Sequence, residues 1–194
     1  MTPAHSATFV ATRRKVAVGA AAGLAAYGAK GARLMALEIT KVETKTLPTL
    51  RFIGKPCLCS PEDFVAKWDE WLEKGWFKQL EKLGVAPENG DAYLGMTSDS
   101  GSRYWIGLLF PPGTPAPDGF EYMDISASNY IVFGIDGKKE GELTGEEGAV
   151  ICFGEIDKRS LTHDSEGQDL ERYSRPLSSD GKGKMLLECL FPIK

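Results

Sequence analysis

Between residues 111 and 119 the chain reads Pro-Pro-Gly-Thr-Pro-Ala-Pro-Asp-Gly, four prolines and two glycines in nine residues. Each proline removes a backbone donor and fixes φ, so neither a helix nor a sheet ladder can run through this stretch. It is an irregular connection a little past the middle of a 194-residue chain. The segments on its two sides follow the same order, and that repetition is the strongest constraint on the fold.

On the first side, Leu37–Val42 and Leu47–Gly54 read as one long strand interrupted near Pro48, which suits an edge or a bulge. Ser60-Pro61-Glu62-Asp63 then carries the marks of a helix start. Phe64, Val65, Trp68, Trp71 and Leu72 fall on one helical face behind it, and Gly75 supplies the stop. The two tryptophans are expected in the core, against a sheet. A short amphipathic run follows with Trp76, Phe77, Leu80 and Leu83. Ala92–Met96 and Arg103–Phe110 flank a polar turn and predict an antiparallel pair. In the second of these strands Gly107 lies beside Trp105 and leaves room above the sheet for a ligand or a closely packed helix.

Beyond the connection, Phe120–Ile135 is again a long extended stretch, broken weakly at Ser126–Asn129. Thr144-Gly145-Glu146-Glu147 is a second helix start, with Ala149, Val150, Phe153 and Ile156 on one face. Leu170 and Tyr173 mark a short strand in a polar segment, and Lys184–Pro192 closes the chain as a strand. Two strand–helix–strand–strand units of matching pattern predict an α+β domain. Its antiparallel sheet should carry helices on one face and a ligand groove on the other.

In the last strand Met185, Leu187, Cys189 and Phe191 share one face and Leu186, Glu188 and Leu190 the other. Glu188 is the exception in an otherwise apolar strand. A carboxylate there must be paired, neutralised or wet. Two readings stand: the back of a pocket, or an ion pair with an Arg or Lys of a neighbouring strand. Cys189 points away from Glu188, so the two do not form a catalytic pair.

The formal net charge is −4. Residues 1–35 hold Arg13, Arg14, Lys15, Lys30 and Arg33 and no acid, which leaves 18 basic against 27 acidic residues in the remainder. So acidic a body argues against a broad nucleic-acid surface. Paired arginines before the uncharged, alanine- and glycine-rich Val16–Ala29 have the layout of an export signal of twin-arginine type, or of a plain tail. Fourteen residues are too few for a stable membrane span, which needs about 20. The chain thus divides into a segment 1–35, for targeting or a tail, and a domain 36–194. It is cytoplasmic, or exported if the first segment is a signal. Cys57 and Cys59 are not in CxxC spacing and the histidines are only His5 and His163, so neither a metal site nor a redox dithiol is expected. Cys152 and Cys189 read as buried small hydrophobes, and no disulfide framework is called for.

The run Ile39–Val42 through Leu47–Gly54, the stretch Phe120–Phe133 and the terminal Glu188-Cys189-Leu190-Phe191-Pro192-Ile193 resemble the GyrI-like small-molecule-binding domains. These are related to the effector-binding domains of multidrug-sensing regulators and share a fold with the SOUL haem-binding family. The resemblance covers residues 36–194. It implies a pseudo-two-fold pocket lined by aromatic rings with a carboxylate at its base, corresponding to Glu188. Trp105, Tyr122 and Tyr130 would supply the rings. The ligand class implied is a small lipophilic, often cationic, organic molecule, with no cofactor. Some stand-alone members are described as hydrolases, and in that reading Glu188 is a general acid or base. No DNA-binding helix pair precedes the domain, so direct nucleic-acid binding is not expected. A structural or interaction role is the third reading, and the sequence leaves the oligomeric state open.

Overall fold

A computed structural model describes residues 38–57, 64–98, 103–136, 146–174 and 186–194. The expectations for residues 1–35 and for the helix-start residues Ser60–Asp63 and Thr144-Gly145 lie outside the described residues. The elements are β1 (Glu38–Leu47), β2 (Leu50–Cys57), α1 (Phe64–Glu73), α2 (Trp76–Glu81), β3 (Ala92–Ser98), β4 (Arg103–Phe110), β5 (Glu121–Ile125), β6 (Ser128–Asp136), α3 (Glu146–Lys158), β7 (Asp169–Ser174) and β8 (Leu186–Ile193). This is the duplicated order expected, an α+β domain with every strand pair antiparallel. The proline-rich connection between the halves carries no regular element.

Gly75 ends α1 in a left-handed conformation, φ 66°, and opens α2 one residue later. A residue with a Cβ would be strained there. Gly84 repeats the device after α2 with φ 80°.

The eight strands form one sheet in the order β1-β6-β8-β7-β3-β4-β2-β5. β1 and β2 are first and seventh in that order, yet only Pro48 and Thr49 separate them in sequence. In a flat sheet six strand spacings would put them about 29 Å apart. Three residue steps reach at most about 11 Å. The sheet must therefore curl until its ends approach. The register shows how: partners run from Lys41↔Gly134 to Leu47↔Ser128, then on through Leu50↔Ile125 to Gly54↔Glu121 without a slip. β1–β2 is one long path and β5–β6 another, and the two pair along their whole length. Pro48 and Ala127 sit where both paths bend, which is why a missing donor is tolerated there.

Curling buries both faces. Leu47, Leu50, Phe52, Met96, Trp105, Ile125, Tyr130, Val132, Leu170 and Leu190 share one core on the enclosed side. On the outer side α3 covers Phe133, Ile135, Leu187, Cys189 and Phe191 through Cys152 and Ile156. Trp71 of α1 and Phe77 and Leu80 of α2 are buried over the first half. Cys152 and Cys189 are free and buried, as expected, whereas Cys57 is disulfide-bonded, which the cysteine spacing did not suggest. Among the described residues no helix is long and apolar enough to cross a membrane, and no cluster of His, Cys, Asp and Glu is arranged to hold a metal ion.

Candidate functional site

Of the four residues singled out from sequence, Trp105 and Tyr130 share the enclosed core, while Tyr122 is exposed and Glu188 is ion-paired. Trp105 is buried in the enclosed core with its indole Nε1 donating to Ser98 Oγ at 3.3 Å. The room expected beside it at Gly107 is filled: a Cβ there would strike the Phe52 ring and the Ile53 carbonyl. Tyr130 is also buried, its hydroxyl donating to the Gln168 carbonyl at 3.3 Å, and burial pushes that phenol up to about 12. Tyr122 lies on the outermost strand, 54% exposed, under the Arg51 guanidinium at 3.9 Å. Arg51 in turn holds Asp124 through two bonds of 2.7 and 2.9 Å.

Glu188 is ion-paired on both sides. Its Oε2 lies 3.0 Å from Arg172 Nη1 and its Oε1 3.2 Å from Lys41 Nζ. Arg172 is its direct partner on β7, so the ion-pair reading describes this carboxylate. It does border a cavity, on the face away from the helices, lined by Thr40, Lys41, Asp91, Ala92, Gly134, Arg172, Ser174 and Glu188. That lining is charged and polar, not aromatic.

The carboxylate ringed by aromatics is Glu171, on the other face of the sheet. β7 and β3 are the central pair, with Glu171 opposite Gly95 and Tyr173 opposite Tyr93. Tyr104 reaches across from β4, and its hydroxyl donates to Glu171 Oε2 at 2.9 Å. The Tyr173 hydroxyl donates to the same oxygen at 2.9 Å. Trp68 of α1 hydrogen-bonds the Tyr104 hydroxyl, so indole, phenol and carboxylate form a chain. The Trp68 ring meets Tyr173 edge-on at 4.7 Å, and Phe77 of α2 stacks on Tyr93 at 3.8 Å. Two helices and three strands thus converge on one carboxylate.

Gly95 makes the arrangement possible. A Cβ at that position would collide with the Tyr104 hydroxyl and lie 3.0 Å from Glu171 Oε2. Glycine is required here for close approach, not for an unusual backbone angle.

The electrostatics follow from that packing. Burial raises the Glu171 carboxyl above its usual range, against the two phenol bonds, which favour the ionised form; Asp169 two residues away adds to the rise. The Tyr104 and Tyr173 phenols are pushed well above their ordinary value, by burial first and the charge of Glu171 second. Among the described residues no Lys, Arg or His pairs with Glu171. Its charge is held by neutral donors and bounded by π faces, an environment that accommodates an added positive charge.

Sequence reasoning missed Glu171 because Asp169–Ser174 is short and polar. The usable signal was its alternation: Leu170, Arg172 and Ser174 on one face, Glu171 and Tyr173 on the other.

No protein-family model matches the sequence, and no curated protein matches it either. Several solved structures do match in fold. The structure of SAV2435 bound to tetraphenylphosphonium is 14% identical with a TM-score of 0.61, covering 80% of this chain and 94% of that one. A putative bacterial transcription regulation protein from Staphylococcus aureus MU50 is 14% identical with a TM-score of 0.59, covering 79% and 98%. The C-terminal domain of EcmrR is 12% identical with a TM-score of 0.56, covering 79% and 97%. At such identities the likeness is one of fold. The described residues share with these structures an α+β fold, an antiparallel sheet with helices packed on it and an aromatic cluster where sheet meets helices.

Proposed function

We propose that this protein binds a small lipophilic cation at the helix-covered face of its sheet. Glu171 supplies the counter-charge and Trp68, Phe77, Tyr93, Tyr104 and Tyr173 supply the walls. The observation that carries the proposal is a carboxylate raised by burial, bonded by two phenols and lacking a cationic partner among the described residues. A cation entering there gains both the carboxylate and the ring quadrupoles, each well-placed ring worth roughly 0.5–2 kcal/mol once water is excluded. The fold likeness to a protein whose structure holds tetraphenylphosphonium supports the same ligand class.

The test is a titration of the full chain with tetraphenylphosphonium and with neutral triphenylphosphine oxide, following the fluorescence of Trp68 and its neighbours. Saturable binding of the cation, at least about tenfold tighter than the neutral compound, is the expected result. Equal affinity for both, or no saturation by either, refutes the proposal. Turnover of an added cationic ester to acid and alcohol would move the function to hydrolysis, with Glu171 as the acid or base.

A further inference from the structure

The cavity on the opposite face stands apart from the aromatic cluster. In register, Lys41, Gly134, Glu188 and Arg172 form one row across β1, β6, β8 and β7, with the side chains of Lys41, Glu188 and Arg172 on the same face. Gly134 keeps the floor of the row low: a Cβ there would press on Lys41 Cβ at 3.0 Å. Arg172 is anchored by Nη1 to Glu188 and by Nη2 to the Asn89 carbonyl at 3.2 Å. Its Nε–H is buried and meets no acceptor among the described residues. A buried donor on a charged group is costly to leave unmade, and native folds seldom leave one without an ion, water or ligand to receive it.

The lining charges balance. Lys41 and Arg172 are matched by Glu188 and Asp91, while Glu43 holds Lys41 from outside at 2.8 Å. A plain anion taken up at Nε–H would be repelled by the two lining carboxylates, and a plain cation would leave Nε–H unmet. A molecule bearing both charges avoids both penalties. The volume, about 270 Å³, is below the range of about 300–1,000 Å³ usual for drug-sized ligands and suits a compound of few heavy atoms.

We propose that this cavity binds a small zwitterion of the α-amino-acid class. Its carboxylate accepts from Arg172 Nε–H, and its ammonium group faces Glu188 and Asp91. The site shares no side chain with the aromatic cluster, so either proposal can fail alone.

The test uses the full chain and three groups of probes: glycine, alanine and serine as zwitterions, acetate as the carboxylate half, and methylammonium as the ammonium half. Chemical-shift titration of the Arg172 Nε–H and of the Gly134 amide is expected to saturate with at least one amino acid, at least tenfold tighter than with either half. Arg172→Lys keeps the charge and removes Nε–H, and should weaken amino-acid binding at least tenfold. Glu171→Gln should leave it unchanged. No saturation by any amino acid, acetate binding as tightly as the amino acids, or an unaltered affinity in Arg172→Lys would each overturn the proposal. The half-ligand comparison needs no variant, so it stands even if Arg172→Lys does not fold.

Discussion

Replacing Glu171 by Gln separates the two consequences of its burial, because they move in opposite directions. The amide keeps an acceptor oxygen for the Tyr104 and Tyr173 hydroxyls, which lie 2.9 Å from Oε2. What it removes is the charge. Because the folded carboxyl is raised above its ordinary value near 4.5, the ionised form destabilises the fold. The associated stability is fully present below that value and lost as pH rises through the folded one. Glu171→Gln should therefore melt above the parent at pH 7, and the gap should close as the pH falls to about 4. Binding should change the other way. A cation about 6 Å from the carboxylate, at an effective dielectric near 20, gains roughly 3 kcal/mol. Reorganisation of the Tyr104 and Tyr173 hydroxyls around the charge offsets some of that, so the loss in affinity is about 10- to 100-fold. In the parent, tetraphenylphosphonium affinity should fall with decreasing pH through the Glu171 titration, and binding should release a proton to the buffer. Differential scanning calorimetry, together with isothermal titration in two buffers of different ionisation enthalpy, reads all three. A variant that both melts lower and binds weaker would indicate simple damage. A variant that binds as tightly as the parent, with no pH dependence, would remove Glu171 from the site.

Gly95→Ala should disrupt the same site without touching a charge. The new methyl collides with the Tyr104 hydroxyl, so the Tyr104–Glu171 bond must open, at a cost of about 1–3 kcal/mol for an overpacked position. A lower Tm with weakened cation binding is expected, and an unchanged Tm would show that the ring can step aside freely. Asn89 is buried and polar: Oδ1 accepts from the Leu109 amide at 2.9 Å and Nδ2 donates to the Ala92 carbonyl at 2.9 Å. Asn89→Ala strands both groups, at about 1–3 kcal/mol each. Urea unfolding should show a loss of unfolding free energy of that size, and a loss below about 1 kcal/mol would mean that water replaces the side chain.

The order of elements was legible because it rests on local signals. Alternation marks strands, 3.6-residue spacing marks α1 and α3, and the prolines of 111–119 can only connect. The break at Pro48 and its counterpart at Ser126–Asn129 were also visible. That these two breaks lie side by side was not, since pairing of β1 with β6 joins residues some ninety positions apart. The curl follows from that pairing, and the curl decides what each face can do. It turned the open groove expected around Trp105 into packed core, with Phe52 in the space that Gly107 leaves.

The same non-locality explains why Glu188 stands out in the sequence and Glu171 does not. Each is a single carboxylate in a strand, and the more apolar strand looked the more demanding. Yet burial along one strand does not set the state of a carboxylate; its neighbours across the ladder do. Glu188 faces Arg172 directly, with Lys41 beyond Gly134 in the same row, so its charge is met within the fold. Glu171 is one residue before Arg172 and therefore points to the opposite face, where its direct neighbours are Gly95 and Cys189. Neither brings a positive charge, and the phenols that bond it are neutral. Of two carboxylates barely one residue apart in register, the fold supplies counterions to one and leaves the other to be met from outside. That asymmetry is the physical basis for expecting a lipophilic cation at Glu171 and a balanced, zwitterionic molecule beside Glu188.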